Sequence, residues 1–134
     1  MYKKYITPEG KNQMLKLAFL SNQGNTFRYL ALGGENSSAA NQNSKSAFTE
    51  ISGDNYQRVT LNTEDTVQNQ SIILSGIFED SNFNPSNGRL IKEIGIVDSS
   101  VHKDDETFFA FAEVPEIYKN SSISLKYTVI ITLH

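Results

Sequence analysis

Cysteine and tryptophan are absent from the 134-residue chain, which has only two histidines and three prolines. A chain without cysteine forms neither disulfides nor thiolate metal sites. His102 lies in a charged turn and His134 is the last residue, and neither has another histidine at metal-ligand spacing. We therefore expect no metal site and two solvated histidines.

Long apolar runs are also missing. The best apolar stretch near the N-terminus, residues 14–20, is interrupted by Lys16 and is too short for a membrane span or a signal peptide. We expect a soluble protein that is made in the cytoplasm without export and does not insert into a membrane. The formal net charge of −3, from 12 basic and 15 acidic residues, offers no basic surface for nucleic acid.

Signatures of catalysis and cofactor binding are missing too. Gly33-Gly34 has no phosphate-binding pattern after it, so a tight turn is favoured, and neither histidine lies in a nucleophile motif. Two carboxylates could still serve a glycosidase. The acidic run Asp104-Asp105-Glu106, with Asp98 upstream, lacks the calcium-loop spacing, so a soluble hairpin tip with protective charges is favoured over a calcium site. We expect neither a catalytic site nor a cofactor.

The chain instead contains segments in which apolar and polar residues alternate, a pattern typical of β-strands. Thr7, Pro8 and Glu9 predict the start of one N-terminal helix, which ends near Gly24. Strands are predicted over residues 26–32, 56–62, 71–79, 90–97, 107–114 and 123–133, with Pro115 ending the fifth strand and a turn over 82–88. Short connections between the last four strands favour antiparallel pairing. The fold class is thus mainly β (α+β), an antiparallel sheet or sandwich with one helix, in a single domain over residues 1–134.

Two features stand out against this β pattern. Residues 35–47 are polar and almost featureless, which predicts either a segment that packs against a partner or a flexible arm. Glu93 lies within an apolar strand, where a carboxylate is costly unless it is paired. We hypothesise that Glu93 pairs with Arg58, or with another cation, at the centre of the domain. The alternative is that Glu93 faces water on an edge strand.

A family resemblance emerges from the segments TPEGKNQMLKLAFLSNQGNTFRYLALGGEN, EISGDNYQRVTLN and RLIKEIGIVDSS…DETFFAFAEVPEIYK. Together they resemble the tail-collar or tail-fibre N-terminal domains of contractile-tailed phages. The positions that carry the closest match are Lys92, Glu93, Ile94, Gly95, Asp98, Pro115, Glu116 and Lys119. The resemblance implies a baseplate-attachment module that forms homo-oligomers, with a trimer as the leading expectation, and contacts other tail or baseplate proteins in the virion.

That family usually continues into a long fibre, and none follows His134, so a baseplate component or a fibre adaptor of a phage, a prophage or a tail-like bacteriocin is expected. Ile117 and Tyr118 are the candidate apolar anchors of an interface, unless they cover the end of the sandwich. The other candidate interface residues are Glu35, Asn36 and Lys119. Two rival functions stay open: a carbohydrate-binding module for host adhesion, and a small cell-wall hydrolase.

Overall fold

Two antiparallel sheets form the fold in a computed structural model, which describes residues 4–19, 26–68 and 71–132. The elements in chain order are β1 (Lys4–Ile6), α1 (Pro8–Phe19), β2 (Tyr29–Gly33), α2 (Ala39–Gln42), a 3₁₀ turn (Lys45–Ala47), β3 (Val59–Thr60), β4 (Asn62–Gln68), β5 (Ser71–Phe78), β6 (Arg89–Val97), β7 (Phe108–Lys119) and β8 (Leu125–Thr132). The predicted helix end at Gly24 and the second histidine, His134, lie outside the described residues. None of the described helices is long and apolar enough to cross a bilayer.

Sheet A has five strands in the order β1-β7-β6-β2-β3, and sheet B has three in the order β4-β5-β8. Every pairing within the two sheets is antiparallel. The predicted fold class, mainly β with antiparallel sheets and an N-terminal helix, is therefore confirmed. β6 lies between β7 and β2, so that both of its edges are paired and both of its faces are covered.

The core divides into two parts because sheet A is covered on both faces. On one face it packs against sheet B, in a cluster with Leu30 and Ile94 from sheet A and Phe78 and Leu125 from sheet B. On its other face the segment 34–50 adds a third layer. The residues of that second cluster are Ala31, Ala39, Ala40, Val97, Phe108 and Phe111, with Phe48 packed against them.

The N-terminal helix begins as its sequence predicts. The backbone N–H of Gly10 donates to Thr7 Oγ1 at 2.9 Å, so Thr7 is the N-cap and Pro8 the first helical residue. The Thr7 N–H in turn donates to the Phe109 carbonyl at 2.8 Å, which fixes the helix against β7. A Cβ at Gly10 would lie 2.5 Å from the same carbonyl, so only glycine allows this close approach.

Strand β8 also follows its sequence pattern, with exposed residues at every second position after the buried Leu125. Strand β7 does not, because it continues past Pro115 to Lys119. The register between β6 and β7 shifts between the pairs Glu93–Glu113 and Ile91–Ile117, and Pro115 lies within that irregularity, where proline is tolerated. The prediction that Pro115 ends the strand is therefore wrong.

The stretch 56–62 is not one strand either. Tyr56 precedes the sheet and stacks on Phe78 at a centroid distance of 6.3 Å, while the chain divides into the short β3 and the longer β4. The segment 35–47 is not a free arm, because it forms α2 and a 3₁₀ turn on the outer face of sheet A. That it packs against a partner stays a prediction.

Candidate functional site

Glu93 is buried on the face of sheet A that carries α2, with an exposed fraction of 2%. Its Oε1 accepts hydrogen bonds from the Ser37 hydroxyl at 2.6 Å and the Ala39 N–H at 2.8 Å, and its Oε2 accepts one from the Ala40 N–H at 2.9 Å. The first N–H groups of a helix have no partner within the helix, and a carboxylate satisfies them. Glu93 therefore anchors the segment 34–50 to the sheet.

The hypothesis that Glu93 pairs with Arg58 is wrong. Arg58 pairs with Glu50 and Glu106 instead, and Glu93 is satisfied by a hydroxyl and two backbone N–H groups. The alternative, in which Glu93 faces water on an edge strand, is wrong as well, because β6 is an interior strand. Both interpretations assumed that only a cation or water could satisfy the carboxylate.

Arg58 lies at the centre of a buried ionic network between two loops. Its Nη2 lies 2.7 Å from Glu50 Oε1 and its Nη1 lies 2.6 Å from Glu106 Oε1, with the Arg58 side chain 2% exposed. The Nε donates to the second oxygen of Glu50 at 2.9 Å, and Nη1 also donates to the Ser99 carbonyl at 2.9 Å. The guanidinium thus bridges two carboxylates and the loop after β6, a geometry that lysine could not provide.

Tyr56 extends this network into the core. Its hydroxyl donates to Glu50 Oε2 at 2.6 Å and accepts the Leu32 N–H at 3.0 Å. Burial and the neighbouring Glu50 carboxylate raise the pKa of Tyr56, so the phenol stays protonated. Burial alone would lower the pKa of Arg58, but hydrogen bonds to Glu50 and Glu106 outweigh it and raise that pKa.

Glu106 makes the stability of this network depend on pH. Burial favours the neutral carboxyl, but the hydrogen bond and charge of Arg58 outweigh burial and lower the pKa of Glu106 below its ordinary value. A lowered pKa in the folded state contributes stability at every pH above the unfolded-state pKa of about 4.3. This contribution is lost as the pH falls from there through the folded-state pKa.

We therefore expect the free energy of unfolding to fall more steeply between about pH 5 and pH 3 in the wild-type protein than in Glu106→Gln. Urea denaturation at a series of pH values measures both slopes. Asp104→Asn, which removes a fully exposed carboxylate beside the network, is the matched control and should keep the wild-type slope. Equal slopes in the wild type and Glu106→Gln would contradict this role of Glu106.

A small cleft of about 380 Å³ borders the network. Its lining residues are Lys45, Phe48, Glu50, Ile51, Ser52, His102, Glu106 and Phe108. Both carboxylates of the cleft are held by Arg58, and the pKa of Glu106 is lowered, whereas a general acid that works near neutral pH needs a raised one. The geometry of this cleft therefore favours a structural role for the two carboxylates over glycoside hydrolysis.

The acidic run on the β6–β7 connection contributes one buried residue, because Glu106 is 7% exposed. The interpretation of Glu106 as a protective surface charge is thus wrong, although Asp104 and Asp105 are exposed. His102 is solvated as expected, with its side chain 69% exposed and its Nδ1 3.1 Å from Glu106 Oε2. No group of three potential ligands that could hold a metal ion occurs among residues 4–19, 26–68 and 71–132.

The candidate interface residues lie at one end of sheet A, where β2 and β7 end and β6 begins. Glu35 and Asn36 are exposed on the turn after β2, and Tyr118, which is 67% exposed, is opposite Leu90. Ile117 is partly buried and packs against the core. We call Glu35, Asn36, Ile117 and Tyr118 the end surface.

Lys119 does not belong to the end surface, although the sequence suggested it. Its side chain is fully buried, its Nζ donates to the Asn120 carbonyl at 2.8 Å, and it lies 3.7 Å from an Asp80 carboxylate oxygen and 5.9 Å from the centre of the Phe83 ring. The apolar stem of lysine suits this position because it packs along the core while the ammonium reaches polar partners.

A polar groove of about 570 Å³ borders the same part of the molecule. It runs between the α2 segment and β7, and it is lined by Ser37, Ser38, Asn41, Lys92, Glu93, Glu113, Val114 and Glu116. None of the four end-surface residues lines this groove, but Ser37 and Glu116 in its lining are chain neighbours of Asn36 and Ile117.

The sequence did not identify the partners of Glu93 and Arg58. Glu50 and Glu106 were visible as acidic residues, but Glu106 is 48 positions from Arg58 and carries no local signal of contact. The Ser37 hydroxyl was hidden in a polar stretch without a helical pattern.

Comparisons of the chain with protein-family models, with curated proteins and with solved structures found no match.

Proposed function

We propose that this protein is a structural component of a bacteriophage tail or a tail-like particle, in which it acts as a baseplate or fibre-adaptor module. The observation that carries the proposal is the end surface, where Tyr118 is exposed on β7 and Glu35 and Asn36 are exposed on the turn after β2. Tyrosine is favoured as an interface anchor because it contributes a large contact area at little cost in conformational entropy.

The distribution of buried charge supports an assembly role. Arg58, Glu106 and Glu93 are all buried and hydrogen-bonded within the fold. Their charged groups therefore hold loops of the chain in place and are not available to bind a substrate. Loops that are already held by buried hydrogen bonds lose less conformational entropy when a protein docks. The resemblance of the β6–β7 region to tail-fibre N-terminal domains adds the class of partner.

The test is whether the protein is built into particles. Tail or tail-like particles are purified from cells that encode the protein, and antibody-gold labelling locates it on them. We expect label at the baseplate or at the fibre attachment point, and we expect Tyr118→Ala to reduce incorporation about 10-fold or more, as an interface anchor should. Val101→Ala, an exposed apolar residue on the opposite end of sheet A, is the control. A protein that stays entirely outside the particles would refute the proposal.

The exposed Tyr118 also favours a second function, which is binding of a host carbohydrate. Tyrosine rings stack on sugars, and Tyr5, with 41% exposure, offers another ring. Tyr56 cannot serve in this way, because it packs between Phe78 and Phe83 and donates to Glu50. A glycan array separates the two functions. Adhesion is favoured if the wild type binds a glycan, Tyr118→Ala does not, and the protein is not incorporated into particles. Clearing of a cell-wall suspension would instead indicate the hydrolase.

A further inference from the structure

The connection between β5 and β6 ends in the dipeptide Asn87-Gly88, the only place in the chain where glycine directly follows asparagine. Ser86 and Asn87 form a turn, and Asn87 is exposed. Gly88 has a φ of 76°, in the left-handed region that favours glycine, and the next residue, Arg89, begins β6. The turn therefore requires a glycine directly after an exposed asparagine.

Asparagine is a chemically labile residue, and a following glycine makes it more so. The backbone nitrogen of the glycine attacks the side-chain carbonyl carbon of the asparagine. A C–N bond forms, ammonia leaves, and the product is a succinimide ring. Water opens the ring at either carbonyl, which gives aspartate or isoaspartate, in which the main chain runs through the former side chain. Overall, water is consumed and ammonia is released, so the reaction needs no oxidant, cofactor or enzyme.

The surroundings of Gly88 leave room for this ring. A Cβ placed on Gly88 would have two atoms within 4 Å besides those of its chain neighbours, the Lys119 carbonyl oxygen and Tyr118 Cβ, both at 3.9 Å. Within the part of the chain that the structure describes, neither the Asn87 side chain nor the Gly88 N–H takes part in a hydrogen bond. No contact therefore holds the attacking nitrogen and the side-chain carbonyl apart.

Two other asparagines lack these conditions. Asn84 precedes Pro85, whose nitrogen carries no hydrogen and cannot attack. Oδ1 of Asn120 accepts hydrogen bonds from the Ser122 N–H at 2.9 Å and the Ser122 hydroxyl at 2.7 Å, which hold that side chain in one conformation. The residue after Asn120 is Ser121, whose side chain hinders the attack in a way that glycine does not. Asn84 and Asn120 are therefore internal controls.

We propose that Asn87 is a site of spontaneous deamidation, and that the reaction alters the border of the end surface. The product adds a carboxylate directly before Gly88 and Arg89. In the isoaspartate form, the main chain is also longer by an extra carbon atom. That atom lies just ahead of the pair formed by Arg89 and Lys119, where the ladder between β6 and β7 begins beside Tyr118. The start of this ladder is therefore displaced in the isoaspartate form.

Mass spectrometry of the purified chain, incubated at mildly alkaline pH, tests the modification. Such a pH speeds the reaction because the deprotonated Gly88 nitrogen is the nucleophile. We expect Asn87 to gain the mass difference between OH and NH₂ several-fold faster than Asn84 and Asn120, with fragment spectra locating the gain. Asn87→Gln is the matched variant, and its longer side chain should close a ring far more slowly. The proposal is overturned if Asn87 keeps its amide as long as Asn120 does, or if Asn87→Gln gains mass at the wild-type rate.

Hydrogen exchange tests the effect on the end surface. In the isoaspartate form, isolated by chromatography from the incubated protein, the amides around Arg89 and Lys119 should exchange faster than in fresh protein. Asn87→Asp adds the same charge without the extra main-chain atom, and these amides should exchange in it as in fresh protein. Equal exchange in the isoaspartate form and in fresh protein would overturn the link to the end surface.

The modification goes beyond the proposed tail function and does not depend on it. A chain that deamidates at Asn87 but never enters particles would refute the tail function alone. A chain that enters particles but keeps the Asn87 amide as long as the Asn120 amide would refute the deamidation alone.

Discussion

Replacing Arg58 with methionine should lower the free energy of unfolding by about 3–5 kcal/mol, because removal of one member of a buried ion set leaves its partners charged and unpaired. In this protein the partners are Glu106, whose side chain is 1% exposed, and Glu50, which is 19% exposed. Methionine fills much of the arginine volume, so the loss measures the ionic network and not a cavity.

Urea denaturation near neutral pH measures this loss. Arg89→Met is the matched control, because Arg89 pairs with Asp54 at 3.0 Å with both side chains more than a third exposed, and such surface pairs contribute about 0–1 kcal/mol. Adding Glu50→Gln and Glu106→Gln to Arg58→Met should recover part of the stability, since the charges left unpaired are then removed. Equal losses in Arg58→Met and Arg89→Met would show that the buried network does not stabilise the fold.

The sequence predicted the elements that depend on interactions between residues close together in the chain. Thr7 and Pro8 define a helix start through hydrogen bonds that span three or four residues, and the alternation along β8 reflects which face of a strand meets the core. The prediction that Pro115 ends its strand is wrong because the effect of a proline depends on how its strand pairs with the neighbouring strand. A proline ends a regular ladder, but the shift in register between β6 and β7 lets β7 continue past it.

Long-range pairing is what the sequence left undetermined. The apolar strand pattern indicates that Glu93 either has a partner such as Arg58 or faces water on an edge strand, and the outcome depends on which loops meet in space. The sequence favoured a cation for Glu93, whereas the structure provides the start of a four-residue helix. A helix that short has no periodicity to detect, and its formation depends on the carboxylate that receives its N–H groups.

Replacing Glu93 with glutamine should therefore release the segment 34–50 and cost about 3 kcal/mol, because hydrogen bonds to a buried charge contribute about 1.5–3 kcal/mol and an unsatisfied donor costs a similar amount. Glutamine retains one acceptor oxygen, so either Ala39 or Ala40 would face an NH₂ group in place of an oxygen.

Hydrogen exchange locates this effect, while urea denaturation measures its size. The amides of Ala39 and Ala40 should exchange much faster in Glu93→Gln. The exchange rates of the β5 amides, on the other sheet, should change only as much as the global free energy of unfolding changes. Glu116→Gln, an exposed carboxylate on the adjacent β7, is the matched control and should change neither quantity. If Glu93→Gln behaves like that control, the carboxylate does not hold the segment. If the amides are released as expected, one buried side chain determines the outer layer of sheet A and, through Ser37, the position of the neighbouring Glu35 and Asn36 on the end surface.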